Sequence, residues 1–141
     1  TAMCNSFKQE LLGAVHDLDT NTFKVALIKP SNSGTYGAAI TNYSDLTGNT
    51  DEAVGTNYTA GGQILDSATI SLSGSTAFVD FGDEVFANLT ISADGAIIYN
   101  ASQANKAVAV FDFGGTITST SGDFTLVFPT ADASNAVIRI S

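Results

Sequence analysis

The sequence predicts an all-β protein: an antiparallel β-sandwich of jelly-roll type or a small barrel, with about eight strands and one short N-terminal helix. Short apolar segments follow one another from residue 64 to the end of the chain, joined by small polar turns. This spacing is typical of sandwiches and barrels, in which each strand buries one face and returns through a tight turn. The 141 residues contain no evident linker or internal repeat, so we expect a single domain, residues 1–141.

One helix is predicted near the start of the chain, over about residues 6–17. Ser6 and Gln9 have the spacing of a capping box, and Phe7 and Leu11 lie on the same helical face. We expect the helix to plug the open end or an edge of the β-structure. The alternative is an N-terminal arm that docks on a neighbouring subunit.

A long irregular segment follows the first predicted strand, residues 22–28. It covers about residues 30–62 and is rich in Ser, Asn, Thr and Gly. Loops of this length are uncommon in compact domains and are often functional. We expect one or two short strands within it, near Ala53–Val54 and Tyr58.

The clearest local prediction is a hairpin over residues 64–81, with Gly74-Ser75 as its two-residue turn. The runs at 95–99 and 107–111 are apolar on both faces, which requires a central position or a covered outer face. The other predicted strands are 87–91, 95–100, 106–113, 123–128 and 135–140. The side chains expected in the core are Phe23, Val25, Leu27, Ile70, Leu72, Phe78, Ile97, Val108, Val110, Leu126, Phe128, Val137 and Ile138.

The charge composition disfavours two classes of partner. The net charge is −9, and the Lys and Arg residues, five in all, are scattered along the chain. Binding to nucleic acid or to an anionic membrane draws on clustered cations, so we expect neither partner. Charged residues make up only 13% of the chain, which leaves an uncharged polar surface suited to burial against another protein.

Cellular location is predicted from what the sequence lacks. There is no apolar run of eighteen residues and no signal-peptide pattern, so we expect synthesis in a cytoplasm. Cys4 is the sole cysteine, which excludes an internal disulfide.

Few side chains are suited to catalysis, and we expect neither enzymatic activity nor a cofactor. His16 is the sole histidine, and we interpret it as lying at the C-terminal end of the helix, where a cation is favourable. One His and one Cys do not make a zinc site. Calcium is a weaker alternative to solvated turn carboxylates for two acidic clusters: Asp80, Asp83 and Glu84, and Asp45, Asp51 and Glu52.

Several stretches resemble a family of small virion structural proteins of tailed bacteriophages. They are NSFKQELLGAVHDLDTNTFKVALI (5–28), GTNYTAGG (55–62), TAFVDFGDEVFANLTISADGAIIYNASQANKAVAVFDFGG (76–115) and PTADASNAVIRIS (129–141). Where the family pattern has a Trp, this chain has Phe86. The resemblance implies a place on the outer surface of a virion, most closely that of a head decoration (cement) protein. The implied partners are the major capsid protein and copies of itself, as a dimer or trimer.

The competing interpretation is a glycan-binding module of a tail fibre or spike. Three tyrosines in the long loop can stack on sugars, although the chain has no Trp. An enzyme that cleaves cell-wall glycan has only the carboxylates in its favour. The residues predicted to contact a partner under the first two interpretations are Phe7, Leu11, Tyr36, Tyr43 and Tyr58.

Overall fold

Two antiparallel sheets pack as a sandwich in the computed structural model, which describes residues 1–66 and 68–141. The main sheet has the order β1-β7-β6-β2-β3 and the small sheet the order β4-β5-β8. The all-β sandwich with a short N-terminal helix is therefore confirmed, and the barrel alternative is wrong, because the described strands form two open sheets. The elements are β1 (Ala2–Met3), α1 (Asn5–Leu12), β2 (Phe23–Ile28), α2 (Ser44–Gly48), β3 (Gln63–Ile64), β4 (Thr69–Ser73), β5 (Thr76–Asp80), β6 (Glu84–Asn100), β7 (Lys106–Leu126) and β8 (Ile138–Ile140).

Strands β6 and β7 form the longest ladder in the molecule. The sequence predicts four separate strands here, but each pair is one continuous strand. The interruptions are β-bulges: Ala93 pairs with Ile117, whereas Gly95 pairs with Asp112, so residues 113–116 bulge opposite Asp94. A bulge absorbs extra residues without ending the strand, which is why a glycine-rich stretch that reads as a turn stays within β7.

Both faces of the main sheet are covered by the chain itself. On one face Phe111 packs on Phe128, with ring centroids 5.5 Å apart, and Phe128 in turn contacts Phe81, the residue after β5, at 6.2 Å. On the other face Tyr43, from the long loop, stacks on Tyr99 at 4.5 Å. The two-sided apolar runs of β6 and β7 are thus buried within one subunit, as a central position in a sandwich requires.

The small sheet contains the predicted hairpin and one departure from the predicted core. Strands β4 and β5 are joined by Gly74-Ser75 as expected, and Gly74 has φ +60°. The predicted strand 64–73 is divided, because Gln63–Ile64 pairs with β2 while β4 starts at Thr69. Ser67, which falls in that predicted strand, lies outside the described residues.

The sequence predicts Ile70 and Leu72 in the core, but they are 55% and 73% exposed, so that part of the prediction is wrong. The other predicted core residues are buried. Strand alternation correctly places Ile70 and Leu72 on the same face of the hairpin. The segments that cover this face over β5 and β8 leave these two side chains exposed.

The N-terminal helix exists but is shorter than predicted, Asn5–Leu12 rather than 6–17. Its N-cap is Cys4, and the hydroxyl of Ser6 instead donates to the carbonyl of Ile40 at 3.5 Å. Gly13 ends the helix, and Ala14 takes a positive φ of 57°. The helix packs Phe7 into the core, consistent with the expected covering role.

The long loop is held by side chains rather than by strands. Within residues 30–62, all of which are described, the regular element is the short helix α2, which was not predicted. The strands expected near Ala53–Val54 and Tyr58 do not form, and isolated bridges link Glu52 to Ile28 and Thr56 to Thr90 instead. In this segment the backbone pairs with neighbouring strands at isolated residues and not along a run, so no ladder extends.

Truncating a core residue of β7 should measure how tightly this sheet is packed. Val110 is 3% exposed, and Val110→Ala is expected to lower the free energy of unfolding by about 2 kcal/mol through lost burial and a residual cavity. Ile117→Ala is the matched control, since Ile117 lies on the same strand and is 48% exposed, with an expected loss of about 0.5 kcal/mol. Urea denaturation of both variants checks this, and equal losses would contradict it.

Candidate functional site

The five residues predicted to contact a partner lie in two different places. Phe7 is fully buried and packs on the His16 ring at 4.8 Å, and Leu11 is half-buried on the same helix. The tyrosines at 36, 43 and 58 belong to the long loop and are also half-buried. No contact in the isolated chain tests whether these five bind a partner, so that assignment stays a prediction.

Glu52 gathers the hydroxyl groups of the loop tyrosines. Its carboxylate accepts hydrogen bonds from Tyr43, from Tyr58 at 2.9 Å and from the backbone N–H of Gly61 at 2.6 Å. Burial, followed by the nearby carboxylate, raises the pKa values of Tyr43 and Tyr58 well above the ordinary value. Both phenols are therefore protonated at neutral pH, and their hydroxyl groups donate the hydrogen bonds to Glu52 that stabilise the loop.

Asp51 is the second anchor of the loop and is completely buried. Its Oδ2 accepts from the N–H groups of Ser33 and Gly34, both at 2.8 Å, and from the hydroxyl of Tyr36 at 2.7 Å. Lys29 Nζ lies 3.1 Å from Oδ1. Burial alone would raise the pKa of Asp51, but these hydrogen bonds outweigh it and hold the pKa well below the ordinary value.

His16 occupies a buried polar cluster, not the end of a helix. It lies four residues beyond Leu12 and is 5% exposed, so the sequence-based interpretation is wrong. The Asn100 amide donates to Nδ1 at 3.0 Å, so Nε2 carries the proton that the Glu10 carboxylate accepts at 2.9 Å. Lys106 pairs with the other oxygen of Glu10 at 2.5 Å. These contacts fix α1 against the turn between β6 and β7.

The two acidic clusters considered for calcium are used differently from each other. Asp51 and Glu52 are saturated by the donors described above, and Asp45 accepts from the N–H groups of Thr41 and Asn42. Asp83 accepts the N–H of Phe128 at 2.9 Å. Among the described residues, no group of three or more His, Cys, Asp or Glu side chains is arranged to hold a metal ion.

A shallow cavity of about 220 Å³ lies where the loop meets the bulge of β6 and β7. Its polar lining comes from Asn32, Tyr36, Asp94 and Asp112. Asp94 is engaged by the Thr116 hydroxyl at 2.5 Å, and Asp112 by the N–H of Gly114 at 2.8 Å. Here a loop tyrosine and two carboxylates share one concave surface.

The small sheet carries an exposed apolar face. Ile70 and Leu72 of β4 lie on the same face as Val79 of β5 and Ile138 and Ile140 of β8, because these positions are paired in register. Val79 and Ile138 are buried, at 4% and 1% exposed, but Ile140 is 56% exposed. Exposure therefore rises towards the hairpin turn and towards the free edge of β4. A hollow of about 170 Å³ lies on this apolar face. Its walls are almost entirely apolar and also include Leu11 and Leu18.

Sequence reasoning missed this apolar face because alternation identifies a face without saying how far its cover extends. The available signal was the segment Thr69–Ser73, which alternates strictly and contains no charged residue. A strand of that composition near solvent is atypical, since natural edge strands usually carry charges or proline. Together with Leu11, the apolar face is what we take as the candidate functional surface.

No protein-family model, curated protein or solved structure matches the chain. Within the described residues, no helix is both long enough and apolar enough to cross a membrane.

Proposed function

We propose that this chain is a non-enzymatic structural protein that works by assembling with other proteins, most specifically as a head decoration protein on the outer surface of a tailed-phage virion. The observation that carries the proposal is the apolar face of the small sheet, where Ile70, Leu72 and Ile140 are each more than half exposed. Apolar side chains that continue a core face into solvent are typical of a surface that another protein covers.

The composition of the rest of the surface supports the same role. The chain has a charged fraction of only 13%, and residues 114–122 of β7 form an uncharged stretch of Gly, Thr, Ser and Ile. Protein interfaces are depleted of charge at their centres, so such a surface can be buried against a capsid subunit at a low desolvation cost. The resemblance of four long stretches to phage virion proteins supplies the specific setting.

The way the polar side chains are used also supports a scaffold. Asp51, Glu52 and the tyrosines that contact them link distant parts of the long loop to each other, and the Tyr58 hydroxyl accepts the N–H of Leu27 in β2 at 2.9 Å. A cement protein must keep its shape while the shell beneath it is under pressure. Many identical sites on one shell then add their small contributions to its stability.

The alternative function, binding of a surface glycan, is favoured by one observation. The cavity lined by Asn32, Tyr36, Asp94 and Asp112 combines an aromatic ring with carboxylate and amide groups. Such groups can accept and donate hydrogen bonds to sugar hydroxyls. A module of this kind would sit at the tip of a tail fibre or spike.

Counting the copies per virion separates the two functions. A head decoration protein is expected on the order of hundreds of copies per particle, because a shell offers that many equivalent seams. Quantitative mass spectrometry against the major capsid protein gives the ratio. About a dozen copies or fewer, confined to the tail, would contradict the cement proposal and favour the glycan-binding module.

Stripped heads provide the matching functional control. Heads that lack the protein should release DNA at a lower temperature, and adding back the purified protein should restore the original temperature. Leu72→Lys should weaken this restoration, whereas Val54→Lys should not, since Val54 is 91% exposed but lies in the long loop. Heads of unchanged stability without the protein would oppose the proposal.

A further inference from the structure

The free edge of β4 is unusually well suited to pairing with another strand. β4 is the edge of the small sheet, and its five residues pair with β5 in an unbroken register. Thr69–Ser73 contains no lysine, no proline and no bulge, the features that normally protect an edge from pairing. The outer strand at the opposite edge of the same sheet, β8, has only three residues.

The hairpin turn determines which backbone groups of β4 point outwards. A two-residue turn closes on a hydrogen-bonded pair, here Ser73 and Thr76, and hydrogen-bonded pairs then alternate along the ladder. The backbone N–H and C=O groups of Ser71 and Thr69 are therefore directed at β5. The N–H and C=O groups of Ile70 and Leu72 point away from β5, towards the free edge.

We propose that this edge binds a second copy of the same chain, with two β4 strands antiparallel about a two-fold axis at Ser71. In this register Ile70 lies opposite Leu72 of the partner subunit, and each such pair exchanges two N–H···O bonds. The two small sheets become one continuous sheet of six strands. A two-fold interface must be self-complementary, and the segment Thr-Ile-Ser-Leu-Ser is, because it has the same chemical pattern read in either direction.

Side-chain packing favours the same arrangement. Ile70 and Leu72 project from the apolar face. Pairing therefore places Ile70 beside Leu72 of the partner subunit, and Leu72 beside Ile70 of the partner subunit. The two apolar faces then form one strip across the dimer. The apolar hollow bordered by Leu11 and Leu18 lies next to this strip in each subunit.

Charge does not oppose a second copy at this edge, despite the net charge of −9. The carboxylate nearest to β4 in the ladder is Asp80, opposite Thr69 at one end of the strand. In an antiparallel pair the two Thr69 residues lie at opposite ends of the seam, about 14 Å apart at the usual rise per residue. This exceeds the screening length of about 8 Å at physiological ionic strength, so the two Asp80 side chains repel only weakly.

The size of the contact sets its strength. Pairing of five-residue strands covers much less than the roughly 1,600 Å² of a standard interface, so the free dimer should be weak. Display on a shell would bring copies together and raise their effective concentration. This role of the dimer rests on the proposed function, but the pairing itself can be tested without a virion.

The test uses Ser71→Cys in the full chain. In the proposed register Ser71 faces itself in a non-hydrogen-bonded pair with a Cα separation of about 4.5 Å, which suits a disulfide. Mild oxidation should give a covalent dimer at least tenfold faster than for the control Ser73→Cys, which faces Thr69 of the partner subunit. The native Cys4 is fully buried and should not contribute.

A second variant tests the backbone bonds directly. In Leu72→Pro the lost N–H is one that points away from β5, so the hairpin ladder is retained while the edge loses a donor. Adding it to Ser71→Cys should reduce cross-linking at least tenfold, with circular dichroism and the thermal transition as checks of folding. If Ser71→Cys and Ser73→Cys cross-link equally fast, the pairing is refuted.

The two proposals fail separately. A rapid Ser71→Cys cross-link in a protein that is absent from heads would refute the decoration role and retain the dimer. Hundreds of copies on heads, with Ser71→Cys and Ser73→Cys cross-linking equally fast, would refute the dimer and retain the decoration role.

Discussion

Replacing Gly62 with alanine is expected to lower the free energy of unfolding by about 4 kcal/mol or more, which approaches the whole stability of a small domain. A Cβ at this position would lie 1.8 Å from the carbonyl oxygen of Val25, and 2.6 Å from its carbonyl carbon. Those atoms belong to β2, which is paired on both sides, with β6 and β3, and cannot move without disturbing these ladders. Gly62 also has φ +69°, a conformation that disfavours a side chain.

The control separates the steric clash from the backbone conformation. Gly74 has φ +60° in the β4–β5 turn, and nothing lies within 4 Å of the position of an added Cβ. Gly74→Ala should therefore cost only about 1 kcal/mol. Thermal and urea denaturation of both variants gives the comparison. If Gly62→Ala costs no more than Gly74→Ala, the long loop does not pack against β2 as closely as described.

Replacing Asp51 should release the long loop. The carboxylate is fully buried and is the common acceptor for the N–H groups of Ser33 and Gly34 and the hydroxyl of Tyr36, so Asp51→Ala removes three partly buried hydrogen bonds at once. Breaking such a buried charged network is expected to cost about 3 kcal/mol. Asp19→Ala is the control, because that side chain is exposed, and it should change stability by about 0.5 kcal/mol or less.

The pH dependence of stability should report the same site. The pKa of Asp51 is held well below the ordinary value in the folded protein, so its contribution is fully present above the unfolded pKa of about 4. That contribution is lost as the pH falls below this value towards the folded pKa. Asp51→Asn should therefore be less stable than the native chain at pH 7 and lose less of its stability between pH 5 and pH 3. Parallel acid profiles of the two proteins would show that Asp51 is not the group responsible.

The strands and the hairpin could be predicted because their signals are local. A two-residue Gly-Ser turn between alternating segments specifies both the position and the register of β4 and β5. The limits of β6 and β7 could not be predicted in this way. A glycine-rich stretch such as 113–116 can be a turn or a bulge, and the choice depends on a partner strand distant in sequence.

The polar clusters could not be predicted from the sequence, for a similar reason. The sequence predicts Asp51 and Glu52 to be solvated turn carboxylates, yet in the structure they accept hydrogen bonds from three tyrosines of the long loop. The sequence predicts His16 at a helix end, yet it bridges Glu10 and Asn100, which are far apart in the chain. Which donors surround a carboxylate or an imidazole depends on the folded path of the chain, and no local pattern encodes that.

The sequence by itself determined that this protein is an antiparallel all-β protein, where its hairpin turns, and which residues of β4 share a face, because turn chemistry and strand alternation act between neighbouring residues. Only the tertiary structure decided that Ile70 and Leu72 lie on the uncovered end of that face. Burial depends on what packs over a strand, and the cover here comes from distant segments that stop short of the β4 edge. The same geometry leaves the edge of β4 open, and it is this edge that we propose the protein uses to assemble.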